Sequence, residues 1–184
     1  MNSKIIPVAV INPNAPAESL EAKQPSIDNG AEIYGKDGYF SAEHMQREWD
    51  KVWTESWLIA GVSTDLQAPG DYFLFRVRSE SIIVTQTEEG VKAFYNVCPH
   101  RGARLLTEER GNKKVFVCPF HSWSFRNNGE LRTITDEETF QEPVICHRPG
   151  LTPVACEEHA GLIFISMSDT PLPLKEAIGL PEGY

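Results

Sequence analysis

The sequence predicts a mainly β domain, an antiparallel barrel or sandwich, and three observations carry that prediction. Short runs rich in β-branched and aromatic residues recur from Trp57 onward. Turn signals separate these runs at the short intervals of an antiparallel fold. Two segments, Cys98-Pro99-His100 and Cys118-Pro119-Phe120-His121, fall at strand-to-turn junctions. That placement puts both at one tip of the domain.

Each element has its own signal. Residues 1–36 are rich in Pro, Asn, Ala, Ser and Glu with little periodicity, and read as an extended or flexible arm. A helix is expected from Ser41, which can cap it, with Glu43 in the first turn. Met45, Trp49, Val52 and Trp53 then share one face, a pattern that predicts a core-facing stripe. Strands are expected over 72–77, 81–87, 91–97 and 115–118, with Glu89-Gly90 and Gly111-Asn112 as turns. Asn127-Asn128-Gly129 marks a hairpin between strands at 123–126 and 130–133. The last strand is expected over 161–166, and a short helix over 174–178 precedes Pro181. The chain therefore divides into an arm at 1–36, a domain at 37–168 and a connector at 169–184.

Composition excludes several classes. With 184 residues, 41% hydrophobic and 23% charged, the chain matches one soluble domain with a sizeable core. A net charge of −9 disfavours nucleic acid and anionic membranes as partners. Much of the excess lies in solvated loops such as Glu108-Glu109 and Asp136-Glu137-Glu138. No stretch approaches the roughly 20 apolar residues that cross a bilayer. Near the start, Pro7 interrupts the apolar run Ile5-Ile6-Pro7-Val8-Ala9-Val10-Ile11, and no twin-arginine pair precedes it. The expected location is cytoplasmic. Cys146 and Cys156 lie in apolar runs and read as free buried thiols.

The chemistry sits in the two cysteine segments. They read Cys-x-His, seventeen intervening residues, then Cys-x-x-His, so each supplies one soft thiolate and one imidazole. This alternation suits two iron atoms in different ligand fields, one held by Cys98 and Cys118, the other by His100 and His121. A structural zinc site is the competing reading of the same four residues. Zinc fingers, however, usually run Cys, Cys, His, His with a spacer near 12 residues. Pro99 and Pro119 favour turns directly after each cysteine, and Gly102 permits close backbone approach. Backbone N–H groups of such loops are then available to sulfur.

These residues resemble a known family. Asn96-Val97-Cys98-Pro99-His100-Arg101-Gly102 and Cys118-Pro119-Phe120-His121-Ser122-Trp123 are similar to the cluster loops of Rieske non-haem iron oxygenases, the ring-hydroxylating dioxygenase alpha subunits. Trp57-Leu58-Ile59-Ala60-Gly61 and Pro69-Gly70-Asp71-Tyr72 resemble the opening strands of their N-terminal Rieske domain. Asn128-Gly129-Glu130-Leu131 and His159-Ala160-Gly161-Leu162-Ile163-Phe164 resemble its closing hairpin and last strand. The resemblance implies a Rieske-type β fold and a [2Fe–2S] cluster on Cys98, His100, Cys118 and His121. Arg101, Gly102, Ser122 and Trp123 would surround it.

Departures sharpen the expectation. Respiratory Rieske proteins carry an extra cysteine in each loop, paired as a disulfide, and a serine two positions after the second histidine. Here Phe120 fills one such place and Trp123 another. Without the serine donor, the potential is expected toward the low end of the roughly −150 to +300 mV Rieske range. Ser122 stands where the family usually has glycine, a strained choice if the backbone there needs positive φ. Trp123 reads equally as a shield for the cluster and as a core aromatic.

The family implies a second domain with a mononuclear Fe(II) on two histidines and a carboxylate. Of the five histidines, His44, His147 and His159 remain after the cluster, and none forms a closely spaced pair. The connector at 169–184 is thus expected to lead toward a catalytic domain outside this chain. The resemblance further implies a ferredoxin or flavin reductase as electron donor. It implies transfer to the catalytic domain of the same or a neighbouring subunit in a homotrimer, and a dioxygenase or monooxygenase reaction. A stand-alone Rieske ferredoxin is the alternative.

Overall fold

In the computed structural model, which describes residues 35–140 and 150–179, the chain begins with two short helices, α1 (Asp37–Phe40) and α2 (Ala42–Glu48). Residues 1–34 of the expected arm, together with Cys146 and His147, lie outside the described residues. Ser41 caps α2 as expected, its side chain accepting from the His44 N–H at 3.2 Å. A π-helical turn, Trp49–Trp53, continues α2, and both the N–H and the hydroxyl of Thr54 donate to the Trp49 carbonyl.

Ten strands follow: β1 (Leu58–Val62), β2 (Asp71–Val77), β3 (Glu80–Thr87), β4 (Gly90–Tyr95), β5 (Arg110–Asn112), β6 (Val115–Val117), β7 (Ser124–Arg126), β8 (Leu131–Thr133), β9 (Pro153–His159) and β10 (Leu162–Ser166). A last helix, α3 (Leu174–Ala177), comes within one residue of the expected span. The strands form curled antiparallel sheets, one of seven strands in the order β1-β10-β9-β4-β3-β2-β5, the other β6-β7-β8. The mainly β antiparallel prediction holds.

Alternation along β2 and β3 builds two cores, because successive side chains point to opposite faces. Tyr72, Leu74 and Ile83 join Phe94, Phe116, Trp123 and Phe125 in one, which also holds Cys98 and Cys118. Phe73, Ile82 and Val84 join Ala93, Val154, Ile163 and Ile165 in the other. A sheet covered on both faces explains why β3 is buried along nearly its whole length, Ser81, Thr85 and Thr87 included.

Two sequence expectations need correction. Gly111-Asn112, read as a turn, belongs to β5 and pairs with the edge of β2. Gly111 fits there because a Cβ would come 2.9 Å from the Tyr72 ring, and the Asn112 side chain donates to Asp71 at 2.8 Å. Nor is the stripe on α2 a core stripe. Met45 is 58% and Trp53 45% exposed, and Val52 is exposed as well. Neither α2 nor the π-helical turn buries a single residue, and among the described residues no layer covers that face. The β2–β3 turn holds this segment by polar contacts instead. Arg78 donates to Gln46 at 2.8 Å, and its guanidinium lies 5.2 Å over the Trp49 ring.

The hairpin at Asn127-Asn128-Gly129 ties the small sheet to the large one. Gly129 has φ of 90°, and a Cβ there would stand 2.3 Å from the Phe94 ring. Its carbonyl accepts from the Leu151 N–H at 2.8 Å. Gly90 has φ of 120° but open space around it. Gly129→Ala should therefore destabilise the domain by more than the roughly 1–3 kcal/mol of backbone strain expected for Gly90→Ala. Denaturant midpoints of the two variants check the order.

Cys156 on β9 is a free thiol, half-buried and packed against the second core. Burial, and then the carboxylates of Glu158 and Glu157, push its pKa up to about 12. A thiol whose folded pKa lies above its unfolded value of 9.0 loses stability as pH rises from the lower value toward the higher. At pH 8, iodoacetamide should alkylate Cys156 roughly a thousandfold more slowly in the folded protein than in the unfolded one. Site-resolved mass spectrometry measures the ratio.

Candidate metal centre

Two loops of the same build make the site. In the first, leaving β4, the Cys98 N–H donates to the Ala103 carbonyl at 2.7 Å and the Gly102 N–H returns to the Cys98 carbonyl at 2.9 Å. In the second, leaving β6, the Cys118 N–H donates to the Trp123 carbonyl at 2.7 Å and the Ser122 N–H to the Cys118 carbonyl at 3.0 Å. Each loop has a proline directly after its cysteine, where a missing N–H costs nothing. Each closes through a residue of positive φ, Gly102 at 72° and Ser122 at 55°. The strain expected at Ser122 is present.

The repetition brings like donors together. Cys98 and Cys118 are almost fully buried in the same core, near enough for each side chain to bear on the other. Burial, above all, pushes the Cys98 thiol up, and the Cys118 side chain adds to this. The backbone N–H groups of His100 and Arg101 point at the Cys98 sulfur and oppose the rise. His100 and His121, less buried, have ring centroids 4.7 Å apart at 60°. Among the described residues, no three His, Cys, Asp or Glu side chains converge on a single ion. The donors stand as a deep sulfur pair and an outer imidazole pair.

The structure brings together all four residues that the sequence singles out. Among the described residues, His121 Nδ1 is buried with no hydrogen-bond partner. Such an orphaned nitrogen is costly unless something ligates it. Two soft sulfurs, two imidazoles and one orphaned ring nitrogen match the donor set of a cluster with one Cys-held and one His-held iron.

Aromatic side chains fix the imidazoles. Trp123 is buried and stacks on His100 at 4.4 Å with 5° between the rings, so its two sequence readings coincide. Phe140 meets both rings edge-on, at 6.3 Å and 6.2 Å. Phe120, 59% exposed, lies 3.9 Å from the His121 ring. A groove of about 230 Å³ runs beside the histidines, lined also by Thr135, Asp136 and Thr139. The side chain of Arg101 is exposed, so its contribution to the site comes through the backbone. His44, at the surface, contacts Glu48 at 3.5 Å, and His159 lies at the end of β9. Neither approaches the site.

Asn96 and Phe140 carry roles that the sequence did not disclose. The buried Asn96 side chain donates to the Leu106 carbonyl and Ser81, and accepts from the Leu105 and Leu106 N–H groups at 3.1 and 2.9 Å. It clasps the far end of the first loop to β3 and β4. Its only sequence signal is a polar residue within an apolar run. Phe140 has none, because it approaches from a loop seventeen residues beyond Trp123. At Ser122, relief of positive φ outweighs the entropy cost of glycine, so Ser122→Gly should stabilise the domain by roughly 1 kcal/mol. Chemical denaturation of the variant tests this sign.

Comparison with known proteins gives a consistent picture. Residues 56–147 match the family described as Rieske [2Fe-2S] domain. The chain is 34% identical over 135 residues to the carnitine monooxygenase oxygenase subunit of Acinetobacter baumannii, covering 71% of this chain and 35% of that protein. It is also 34% identical over 140 residues to the large oxygenase component of the naphthalene 1,2-dioxygenase system of Pseudomonas aeruginosa, covering 74% and 31%. A solved quaternary ammonium Rieske monooxygenase superposes with a TM-score of 0.72 at 30% identity, over 78% of this chain and 39% of that one. The chain thus spans about a third of the length of these relatives. It belongs to the Rieske [2Fe-2S] domain family, whose cofactor is a [2Fe–2S] cluster.

Proposed function

We propose that this chain is the electron-relay portion of a Rieske oxygenase, with Cys98 and Cys118 holding one iron of the cluster and His100 and His121 the other. The observation that carries the assignment is the segregation of donors, two buried sulfurs in one core and two imidazoles 4.7 Å apart, with His121 Nδ1 left without a partner among the described residues. When bound, the cluster accepts and releases one electron.

The residues around it have distinct tasks. The buried cysteines keep the sulfur side in a dry core, where the N–H groups of His100 and Arg101 stabilise thiolate charge. Trp123 and Phe140 lock the His100 ring plane and exclude water from one side of it. The imidazole side faces the groove near Asp136 and Thr139, a suitable face for electron exit. An imidazole nitrogen near solvent can also couple proton uptake to reduction.

Electrons would come from a ferredoxin or flavin reductase. They would leave for a mononuclear iron in the catalytic domain of the same or a neighbouring subunit, within a homotrimer. Relatives named for carnitine and for naphthalene match at the same 34% identity. The Rieske portion is thus indifferent to whether a quaternary ammonium compound or an aromatic ring is oxidised. The oxygenase reading is preferred to a free-standing ferredoxin because these relatives are oxygenase subunits. Residues 37–168 form the Rieske unit in this reading, all ten strands lying within it. The stretch from 169 is a connector, its start docked by the Trp57 indole N–H on the Leu172 carbonyl and by buried Leu174. A cytoplasmic site of action completes the proposal.

Protein reconstituted without oxygen should hold about two irons and two sulfides per chain and give a Rieske-type EPR signal on reduction. A colourless, zinc-loaded protein would overturn the assignment. His100→Cys or His121→Cys should keep a cluster while moving its potential down, toward roughly −400 mV. Redox titration reads the shift, and an unchanged potential would show the wrong ligand.

A further inference from the structure

The necks of the two cysteine loops are closed by different means. The second loop leaves and re-enters a strand pair, with Val117 opposite Ser124 at its base. The first has no such ladder among the described residues, because β4 ends at Tyr95 and residues 105–106 belong to no strand. The Asn96 side chain stands where the ladder would be. Its Oδ1 accepts from the Leu105 and Leu106 N–H groups at 3.1 and 2.9 Å. Its Nδ2 donates to the Leu106 carbonyl at 2.7 Å and to the Ser81 hydroxyl at 3.1 Å.

A carboxamide offers two donors and two acceptor lone pairs, and all four are used here. A carboxylate of the same shape lacks the donors, and a leucine lacks donors and acceptors alike. Asn96, Leu105 and Leu106 are all buried, so removing the amide would leave the backbone groups it serves unpaired inside the core. The Asn96 N–H also donates to the Ser81 carbonyl at 2.8 Å, which pins the neck to β3 through the backbone as well.

Only Val97 separates this neck from Cys98. Beyond it the loop closes on itself through the Cys98–Ala103 and Gly102–Cys98 backbone bonds, and carries the His100 and Arg101 N–H groups to the Cys98 sulfur. Leu105 and Leu106 pack in the same core as both cysteines. The loop is therefore a stiff unit whose attitude toward the sulfur is set at its neck. N–H groups on a ligand sulfur favour the reduced cluster, which carries more negative charge, and so raise its potential.

We propose that Asn96 is a positioning residue for the cluster, setting its potential by holding the first loop so that the His100 and Arg101 N–H groups stay on the Cys98 sulfur. The inference rests on the cluster assignment above and adds to it a residue that is not a ligand.

Redox titration of the reconstituted full chain, followed by EPR of the reduced cluster, tests this. Asn96→Ala should lower the potential by about tenfold in the reduction equilibrium, roughly 59 mV for one electron. Asn96→Thr, whose hydroxyl can still accept from one N–H, should give a smaller shift in the same direction. It carries the test if the alanine variant holds no cluster. Ile163→Ala opens a cavity in the other core, costs stability without touching the loop, and should leave the potential unchanged. In resonance Raman spectra, the shift of the iron–thiolate bands on deuterium exchange, which reports N–H···S bonds, should shrink in the Asn96 variants. Potentials unchanged or raised in those variants would overturn the proposal. So would an equal fall in Ile163→Ala, which would make the effect one of stability alone. A wild-type chain without a Rieske EPR signal would instead sink the cluster assignment, so the two failures are told apart.

Discussion

The site depends on a backbone exchange made twice. In each loop the cysteine N–H reaches forward five residues to a carbonyl, and the N–H four residues on returns to the cysteine carbonyl. These bonds satisfy the backbone polar groups of two cysteines buried in a hydrophobic core at the start of otherwise more exposed loops, where unpaired groups are costly. They also aim both cysteine side chains inward and leave both histidines nearer the surface. The division into a sulfur side and an imidazole side is therefore built into the backbone before any metal binds.

The rest of the domain holds the two loops in register. The first hangs from the end of β4 and is clasped at its far side by Asn96, whose amide bonds to β3 and to Leu105 and Leu106. The second is the connection between β6 and β7, whose hairpin partner closes on Phe94 through Gly129. Phe116 and Phe125 on the small sheet and Tyr72, Leu74 and Ile83 on the large one bury the same core as the cysteines. Displacement of one sheet relative to the other would separate Cys98 from Cys118, so packing of the core and geometry of the metal centre are one constraint.

Local chemistry was legible where neighbours in sequence are also neighbours in space. Ser41 as a cap, Asn127-Asn128-Gly129 as a turn and Pro after each cysteine follow from dihedral preferences and short-range hydrogen bonds. Ser122 stood out only through the family resemblance, at a place where glycine is usual, and its φ of 55° agrees. The 4-3-1 apolar spacing on α2 misled about burial, because periodicity states which residues share a face and not what lies opposite that face. Gly111-Asn112 misled because a glycine that admits a tyrosine ring and one that makes a turn look alike in sequence.

By itself, the sequence determined the types of the four candidate donors, their order and spacing, and the antiparallel β character, since these rest on side-chain chemistry and local backbone preference. Tertiary structure alone decided that the sulfurs pair in a dry core and the imidazoles pair nearer the surface. It also decided that Trp123 and Phe140 orient His100, and that Asn96 anchors the first loop. Those outcomes require residues from different strands and from a distant loop to meet. Such meetings are fixed by the packing of two sheets around one core, a property no short stretch of chain possesses.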